Sequence, residues 1–350
     1  FQAEDGIRDL VLSRGLGDVY KRQPMHMDYN FVVFGYDSGF YRTVLSDIMG
    51  LNSVIYRDLW GTKNKIAAMI YKLYFTPRLP NRHFPFKNLL YHAACDFHFA
   101  DNRPICFLSF GRNFHDRTYP FLSYLKQHYP NAKFALYYED LVETHRHDIG
   151  WVKQNFDLVL SYDYNDAKRY DILYYPTPYS AIPVESVTNP DNDVYFLGKG
   201  KNRLTEIIDA YERFTQNGLK CDFNLVGVPD KQQVYKNDIH YIKSMSYQEN
   251  LFRASQSKCL LEILQKNARG YTFRMWEAIL LGKKIITNNP IVRYSPFFDE
   301  RYISIFTDTK KLDTDFVRAN PDLKIDYHYI DQLSPRHLLE FITARLNETV

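Results

Sequence analysis

Short apolar runs alternate with helical segments along most of this chain, and that alternation restricts its fold more than any other feature. The runs include "NFVVFG", "ICFLSF", "KFALYY" and "FDLVLS", and helical stretches such as "YPFLSYLKQH" separate them. Strands that are apolar on both faces and joined through helices form parallel sheets with helices on both sides. The sequence therefore predicts an α/β protein built on doubly wound parallel sheets.

The alternation occurs in two series, which indicates two domains. The segment "PTPYSAIPVESVTNPDND" is rich in Pro, Ser, Thr and Asn, as linkers are, and a second series begins with "DVYFLGKGKNR". A chain of 350 residues is long enough for two ordinary cores. We expect a first domain over 24–180, a linker over 181–193 and a second domain over 194–350. The last helix is expected to pack back on the first domain.

Bulk composition narrows the class of protein. The net charge of +3 is too small for a protein that mainly neutralises nucleic acid, so no nucleic-acid partner is expected. The four cysteines are scattered and form no C-x-x-C pair, as is typical of reduced thiols in the cytoplasm. No run of about 18 apolar residues is present, so no transmembrane helix is predicted.

The first 23 residues differ from the rest of the chain. "FQAEDGIRDLVLSRGLGDVYKRQ" has no helical or strand period and resembles the translated read-through of a sequencing adaptor. We expect this leader to be dispensable and the natural chain to start near Met25 or Met27.

Polar and cationic residues follow the apolar runs of the second series. In an open parallel sheet, ligands bind beyond the carboxyl ends of the strands. Glycines allow close approach to a ligand there, and cations with a helix N-terminus favour a diphosphate. The candidate donor-binding residues are Gly198, Lys199, Arg203, Gly270, Tyr271, Thr272, Arg274 and Glu277.

Simpler interpretations of these residues remain open. Lys199 and Arg203 could belong to a solvated turn, and Thr272 could serve only as a helix N-cap. Arg274 and Glu277 are three residues apart and could pair on a helix surface.

The segment "RGYTFRMWEAILLGKKIITNN" resembles the donor-binding segment of GT-B glycosyltransferases, of the type found in capsule and lipopolysaccharide biosynthesis. Glu277-Ala278, Gly282 and Ile285-Ile286 match its Glu-Ala pair, glycine and strand. "FDLVLSYDYNDAKRYDILYYPTPY" and "YFLGKGKNR" resemble other parts of the same family. The resemblance implies two Rossmann-like domains facing a cleft, with Glu277 on the ribose hydroxyls of a nucleotide-sugar.

Arg269 departs from the family pattern. Retaining members carry a sugar-contacting glutamate where this chain has Arg269. Either Arg269 contacts the diphosphate, and we then expect a catalytic role in charge compensation, or the chain belongs to a subgroup with another sugar contact.

An inverting transferase also needs a base for the acceptor proton. Asp37 lies in the loop after the first strand, between Gly35 and Gly39, and is the first candidate. A turn role for Asp37 remains open. Glu139 with Asp140, and His115 with Asp116, are the other candidates.

No metal or other cofactor is expected. Asp-x-Asp occurs at Asp191–Asp193 and at Asp313–Asp315, in a linker and a polar loop, and we interpret both as chance. Residues 62–90 mix basic and aromatic side chains. They could contact an anionic membrane on its inner face, or form an ordinary helix packed on the sheet.

Together these features predict a cytoplasmic, metal-independent, hexosyltransferase-like bacterial enzyme. It would transfer a sugar from a nucleotide-sugar to a glycan or lipid-linked acceptor in surface polysaccharide biosynthesis. The alternatives are a nucleotide-sugar epimerase on the same fold and a non-catalytic nucleotide-sugar-binding partner subunit.

Overall fold

A computed structural model describes residues 27–35, 39–58, 69–70, 91, 95, 97–114, 118–145, 148–184, 187, 189–265, 268 and 270–348. These residues form two compact units. The first comprises the described residues of 27–180 together with 334–348, and the second comprises Ala181–Leu333. The leader 1–23 and nearly all of the segment 62–90 lie outside the described residues.

The first unit is built on a parallel sheet whose strand order is β2-β1-β3-β4-β5-β6. Its strands are β1 (Asn30–Gly35), β2 (Val54–Asp58), β3 (Ile105–Phe110), β4 (Lys133–Tyr138), β5 (Leu158–Ser161) and β6 (Leu173–Tyr174). Its helices are α1 (Gly39–Val44), α2 (Ser46–Met49), α3 (Tyr119–His128), α4 (Ile149–Asn155) and α5 (Tyr164–Tyr170). Every residue of β1 is buried, as expected for a strand covered on both faces.

The second unit has a parallel sheet of order β12-β11-β10-β7-β8-β9. Its strands are β7 (Asn192–Lys199), β8 (Cys221–Val226), β9 (His240–Ile242), β10 (Ser257–Glu262), β11 (Lys284–Thr287) and β12 (Ile303–Ile305). Its helices are α6 (Leu204–Gln216), α7 (Tyr247–Ser255), α8 (Phe273–Leu281) and α9 (Asp315–Arg318). The prediction of two doubly wound parallel sheets is confirmed, although the short edge strand β12 was not predicted.

The two faces of the second sheet differ in polarity. On the α6 side, Val194 and Phe196 of β7 pack with Phe214 of α6 in an apolar core. Because successive side chains of a strand point to opposite faces, Tyr195 lies on the other side, where its hydroxyl donates to Asn250 of α7 (3.0 Å). A buried polar layer thus lies between this sheet and helices α7 and α8.

The last helix, α10 (Pro335–Glu348), belongs to the first unit. Asn347 donates to Asp28 (2.7 Å), and the ring of Phe341 lies 5.1 Å from that of Tyr175. These contacts attach the end of the chain to the first sheet. Among the described residues, no helix combines the length and apolarity needed to cross a membrane.

Candidate functional site

The order of the second sheet places a topological switch point between β7 and β10. Counted from the first strand of this unit, the order is 3-2-1-4-5-6, which is the order of dinucleotide-binding folds. The chain leaves β7 through α6 towards one side of the sheet, and leaves β10 through α8 towards the other. Ligands of such sheets bind in the crevice beyond the carboxyl ends of these two strands. Five buried or half-buried side chains meet there: Arg203, Glu262, Thr272, Arg274 and Glu277, which we call the switch-point cluster.

The end of β7 and the turn that follows it have constrained backbone geometry. A Cβ atom on Gly198 would lie 2.9 Å from Cζ of Phe196 and 3.2 Å from Nη2 of Arg203, so only glycine fits. Lys201 adopts a left-handed φ of 42°, which costs an ordinary residue roughly 1–2 kcal/mol. Strain of this kind is concentrated at ligand-binding loops. Lys199 and Lys201 are exposed, and Nζ of Lys201 donates to Gln265 (3.2 Å).

Arg203 connects the ends of the two central strands. Its Nε donates to the carbonyl of Lys199 (3.3 Å), and its Nη1 donates to the carbonyl of Ile263, the residue after β10. Burial lowers the pKa of Arg203, and the charge of Glu262 opposes that shift. Arg203 is therefore an internal brace rather than a residue of a solvated turn.

Glu262 is the acid at the end of β10, and it is only 3% exposed. One carboxylate oxygen accepts the hydroxyl of Thr272, and the other accepts the hydroxyl of Thr287 on β11. Burial raises the pKa of Glu262, whereas these hydrogen bonds and the charges of Arg274 and Arg203 lower it. A buried carboxylate is tolerated where donors and cations surround it in this way.

Thr272 is the N-cap of α8. Its hydroxyl oxygen accepts from the backbone N–H of Arg274 (3.2 Å) while its own proton goes to Glu262. The capping interpretation of Thr272 is therefore observed. Its contact with a phosphate stays a prediction.

Gly270 and Tyr271 lie at the entry to the same helix and are both buried. The carbonyl of Gly270 accepts from Nδ2 of Asn289 (3.1 Å). The ring of Tyr271 packs 5.2 Å from the rings of Trp276 and Phe297. Tyr271 thus supports the loop from below as a core residue.

Arg274 and Glu277 form an ion pair, but the pair is internal. The two side chains are 11% and 3% exposed, so the interpretation as a surface pair is wrong. Nδ2 of Asn250 donates to the other oxygen of Glu277 (2.8 Å), and Tyr247 also donates to this carboxylate. Nη2 of Arg274 donates to the carbonyl of Leu197 (3.1 Å).

The guanidinium of Arg274 also lies 5.2 Å from the ring centre of Tyr195. This cation–π contact and the hydrogen bonds of Arg274 give it a single well-defined position beneath the switch point. Burial raises the pKa of Glu277, and the charge of Arg274 acts against that shift.

The charges of the switch-point cluster balance. Two buried cations, Arg203 and Arg274, face two buried acids, Glu262 and Glu277. Lys199 and Lys201 at the surface add positive charge that no buried acid of this cluster matches. With the positive end of the α8 dipole nearby, an anion at this rim would be favoured.

Four of the predicted catalytic candidates lie outside the described residues, namely Asp37, His115, Asp116 and Arg269. Conversely, Glu262 and Asn250 were not among the predicted site residues. Glu262 had one usable signal, because it is an acid directly after the apolar run "KCLL". Asn250 had none, because its role arises from the packing of α7 against α8.

One residue of each Asp-x-Asp pair has structural partners. Asp193 accepts from Nζ of Lys258 and from the backbone N–H of Lys220, both at 2.8 Å. Asp313 accepts from the N–H groups of Asp315 and Phe316 at the start of α9, both at 3.1 Å. Ion pairing and helix capping account for these acids, and independence of metal stays a prediction.

No family model matches the chain, and no curated protein matches it either. Similar solved structures include that of accessory secretory proteins 1, 2 and 3 from Streptococcus pneumoniae, at 11% identity and a TM-score of 0.48. That match covers 75% of this chain, which spans only 58% of the other. The glycotransferase of kitacinnamycin has 10% identity, a TM-score of 0.39 and coverage of 80% and 89%. MurG of Acinetobacter baumannii has 8% identity, a TM-score of 0.39 and coverage of 91% and 99%.

Proposed function

We propose that this protein is a glycosyltransferase that binds a nucleotide-sugar at the switch-point cluster of the second unit. One observation carries the proposal: a charge-balanced set of buried arginines and glutamates lies at the switch point of a sheet with the strand order of dinucleotide-binding folds. The resemblance of this chain to the donor-binding segments of GT-B glycosyltransferases supports the same assignment.

Within this proposal, the diphosphate lies against the turn that follows β7. Lys199 and Lys201 provide positive charge there. The missing side chain at Gly198 leaves room for Phe196 and for Arg203, which braces the turn. The N-terminus of α8 faces the same rim through its cap, Thr272. Arg269 adds charge as the bond between the sugar and the diphosphate breaks.

Glu277 accepts a hydrogen bond from a ribose hydroxyl. A carboxylate offers about four lone-pair positions, and Arg274, Asn250 and Tyr247 occupy three of them. A position is therefore left for a neutral hydroxyl. Because the acid is held rigidly by these partners, little side-chain entropy is lost when the ribose binds.

The finer assignments follow from the sequence. We propose a hexosyl donor, a glycan or lipid-linked acceptor, a role in bacterial surface polysaccharide synthesis, and a cytoplasmic location with residues 62–90 on the membrane surface. Catalysis is proposed to need neither a metal nor another cofactor.

Calorimetry with UDP, GDP and dTDP, followed by the corresponding hexose donors, tests the proposal. Lys201→Ala should weaken binding of the preferred nucleotide by about 1.5–3 kcal/mol, the usual contribution of a hydrogen bond to a charged group. Lys220→Ala is the matched control, because Lys220 is exposed and precedes β8 at the amino edge of the same sheet. Equal losses in both variants would contradict the assigned site.

Product analysis separates this function from its alternatives. Donor binding without transfer to any acceptor would identify a binding subunit. Conversion of the sugar with the donor alone would identify an epimerase.

A further inference from the structure

Glu139 lies at the carboxyl edge of the first sheet, the edge that in the second sheet holds the switch-point cluster. Glu139 directly follows β4, which pairs with β3. On its other edge β3 pairs with β1. The order β2-β1-β3 therefore puts a switch point between β1 and β3. Elements that follow both of these strands reach Glu139. Tyr41 comes from α1, after β1, and Gly111 and Arg112 come from the turn after β3.

The two carboxylate oxygens of Glu139 have different surroundings. Oε1 accepts from the backbone N–H of Arg112 (3.0 Å) and from the hydroxyl of Tyr41 (3.4 Å). Oε2 is shielded from solvent and accepts no hydrogen bond from the described residues. A buried carboxylate oxygen without a donor is unfavourable and rare, and its cost falls when the carboxyl group is protonated, because a neutral acid is less costly to bury than an anion.

Gly111 maintains the space beside this oxygen. A Cβ atom at Gly111 would lie 3.3 Å from Oε2 of Glu139, 3.2 Å from Cε1 of His145 and 2.8 Å from Cδ1 of Tyr138. Any other residue would crowd the carboxylate and push on the Tyr138 ring. Glycine at this position therefore leaves room for the carboxylate in its shielded position.

The protonation of Glu139 suits a proton acceptor. Burial raises its pKa to about 7, against the lowering effect of the Arg112 backbone and charge, and Asp140 adds to the rise. Among the described residues, the other titratable groups around it include tyrosines at 41, 137 and 138 and the ring of His145. In this resting rotamer, burial holds Glu139 near the midpoint of its titration at neutral pH, and turning outwards into water favours the carboxylate form that accepts a proton.

We propose that Glu139 is the general base that takes the proton of the acceptor hydroxyl on Oε2, ahead of Asp37. This inference rests on the proposed glycosyltransferase function. The acceptor oxygen forms a bond to the anomeric carbon, and the bond from that carbon to the diphosphate breaks. The leaving phosphate oxygen keeps the electron pair, and the acceptor proton moves to Glu139.

Proton transfer on Oε2 requires a rotamer change, because this oxygen is shielded while Glu139 as a residue is only half-buried. Rotation about its side-chain torsions between staggered wells is sufficient to turn the carboxylate outwards. The backbone N–H of Arg112 does not move with this side chain, so Oε1 can accept from it again when the carboxylate turns back. The Glu139 carboxylate is thus shielded at rest and becomes exposed when it acts as the base.

Glu139→Gln tests the proposal, because it retains the shape and an oxygen acceptor but accepts no proton. The assay is hydrolysis of whichever UDP-, GDP- or dTDP-hexose binds the wild type, with water as the acceptor, over pH 5 to 9. We expect turnover to fall by about 10²-fold or more, the lower range for general-base catalysis. The rise of turnover with pH near 7 should disappear, and the Kd of the donor should stay within twofold.

Glu143→Gln is the matched control, since Glu143 is an exposed acid in the same unit. It should retain both the turnover and the pH profile. Glu139→Asp keeps the ionisable group and should restore the pH-dependent rise at a lower turnover, which decides the matter if the Gln variant melts early. Wild-type turnover in Glu139→Gln, or loss of the rise in Glu139→Asp, would overturn this proposal alone. Failure of the wild type to bind any donor would overturn the proposed function as well.

Discussion

The buried pair of Arg274 and Glu277 allows a quantitative test of the site. Glu277→Ala removes the carboxylate that accepts from Arg274 and from Asn250 (2.8 Å). Because the guanidinium is only 11% exposed, it would remain in the interior without its counter-charge. Breaking a buried pair from one side costs about 3–5 kcal/mol. A domain typically has about 5–15 kcal/mol in total, so the second unit should lose a large part of its stability.

The assay is urea and thermal unfolding of the wild type, Glu277→Ala and Glu277→Gln. For a unit of this size, 1 kcal/mol corresponds to a shift of about 2–4 °C in Tm, so the Ala variant should melt roughly 6–20 °C lower. Gln keeps a hydrogen-bond acceptor for Arg274 and should cost less than Ala. The double variant Arg274→Met with Glu277→Leu should recover much of the loss, because apolar residues of similar size replace buried pairs well.

Nucleotide binding of the same variants separates stability from recognition. At a temperature where Glu277→Ala remains folded, its affinity for the preferred nucleotide should fall by about 1–3 kcal/mol, since ribose hydroxyls lose their acceptor. A loss of stability below about 1 kcal/mol would refute the reasoning from burial, since that is the value of an exposed pair. Unchanged affinity would refute the ribose assignment even if stability falls as expected.

Four further outcomes are expected. Thr272→Val should cost about 0.5–2 kcal/mol of stability through loss of the cap of α8, measured by urea unfolding, with Thr272→Ser retaining most of it. Gly282→Ala should cost about 1 kcal/mol or more in the same assay, because φ is 57° and the new Cβ would lie 3.0 Å from the Ile325 carbonyl. Glu139 has its pKa raised from 4.5 to about 7, so the folded state binds more protons in that window and its stability falls as pH rises through it. In Glu139→Gln, the free energy of unfolding should fall by about 3 kcal/mol less than in the wild type over this pH range. If the two proteins gave parallel plots of unfolding free energy against pH in denaturant melts, the pKa shift would be contradicted. Arg269→Ala should reduce turnover by about 10²–10³ with little change in donor Kd, and Arg269→Glu should be worse; a Glu variant as active as the wild type would argue for ordinary two-glutamate chemistry.

Local patterns were sufficient for most of the framework. The apolar runs at β1 and β7 specify strands because each is short, apolar and bounded by a glycine or polar turn. Thr272 and Gly282 mark the two ends of α8, and the structure shows the cap at one and a left-handed residue at the other. These features depend on residues a few positions apart, so a single sequence contains them.

The edge strand β12 and the break between α1 and α2 were harder to predict from the sequence. The helical stretch after β1 divides into α1 and α2, and Leu45 between them is buried. Strand β12 has only three residues, "ISI", which is too short for a period to be recognised. Its pairing with β11 stabilises it, and that pairing is a long-range contact.

The character of the site was decided by tertiary structure. Arg274 and Glu277 were predicted to lie near the ligand. Only the packing of α8 on the polar face of the second sheet buries them and adds Asn250, which is 27 residues from Glu277 along the chain. The sequence determined which residues follow each strand. The strand order, with β7 beside β10, determined that Arg203 and Glu262 meet. Strand order depends on burial summed over elements far apart in the chain, and no local window of sequence contains that sum.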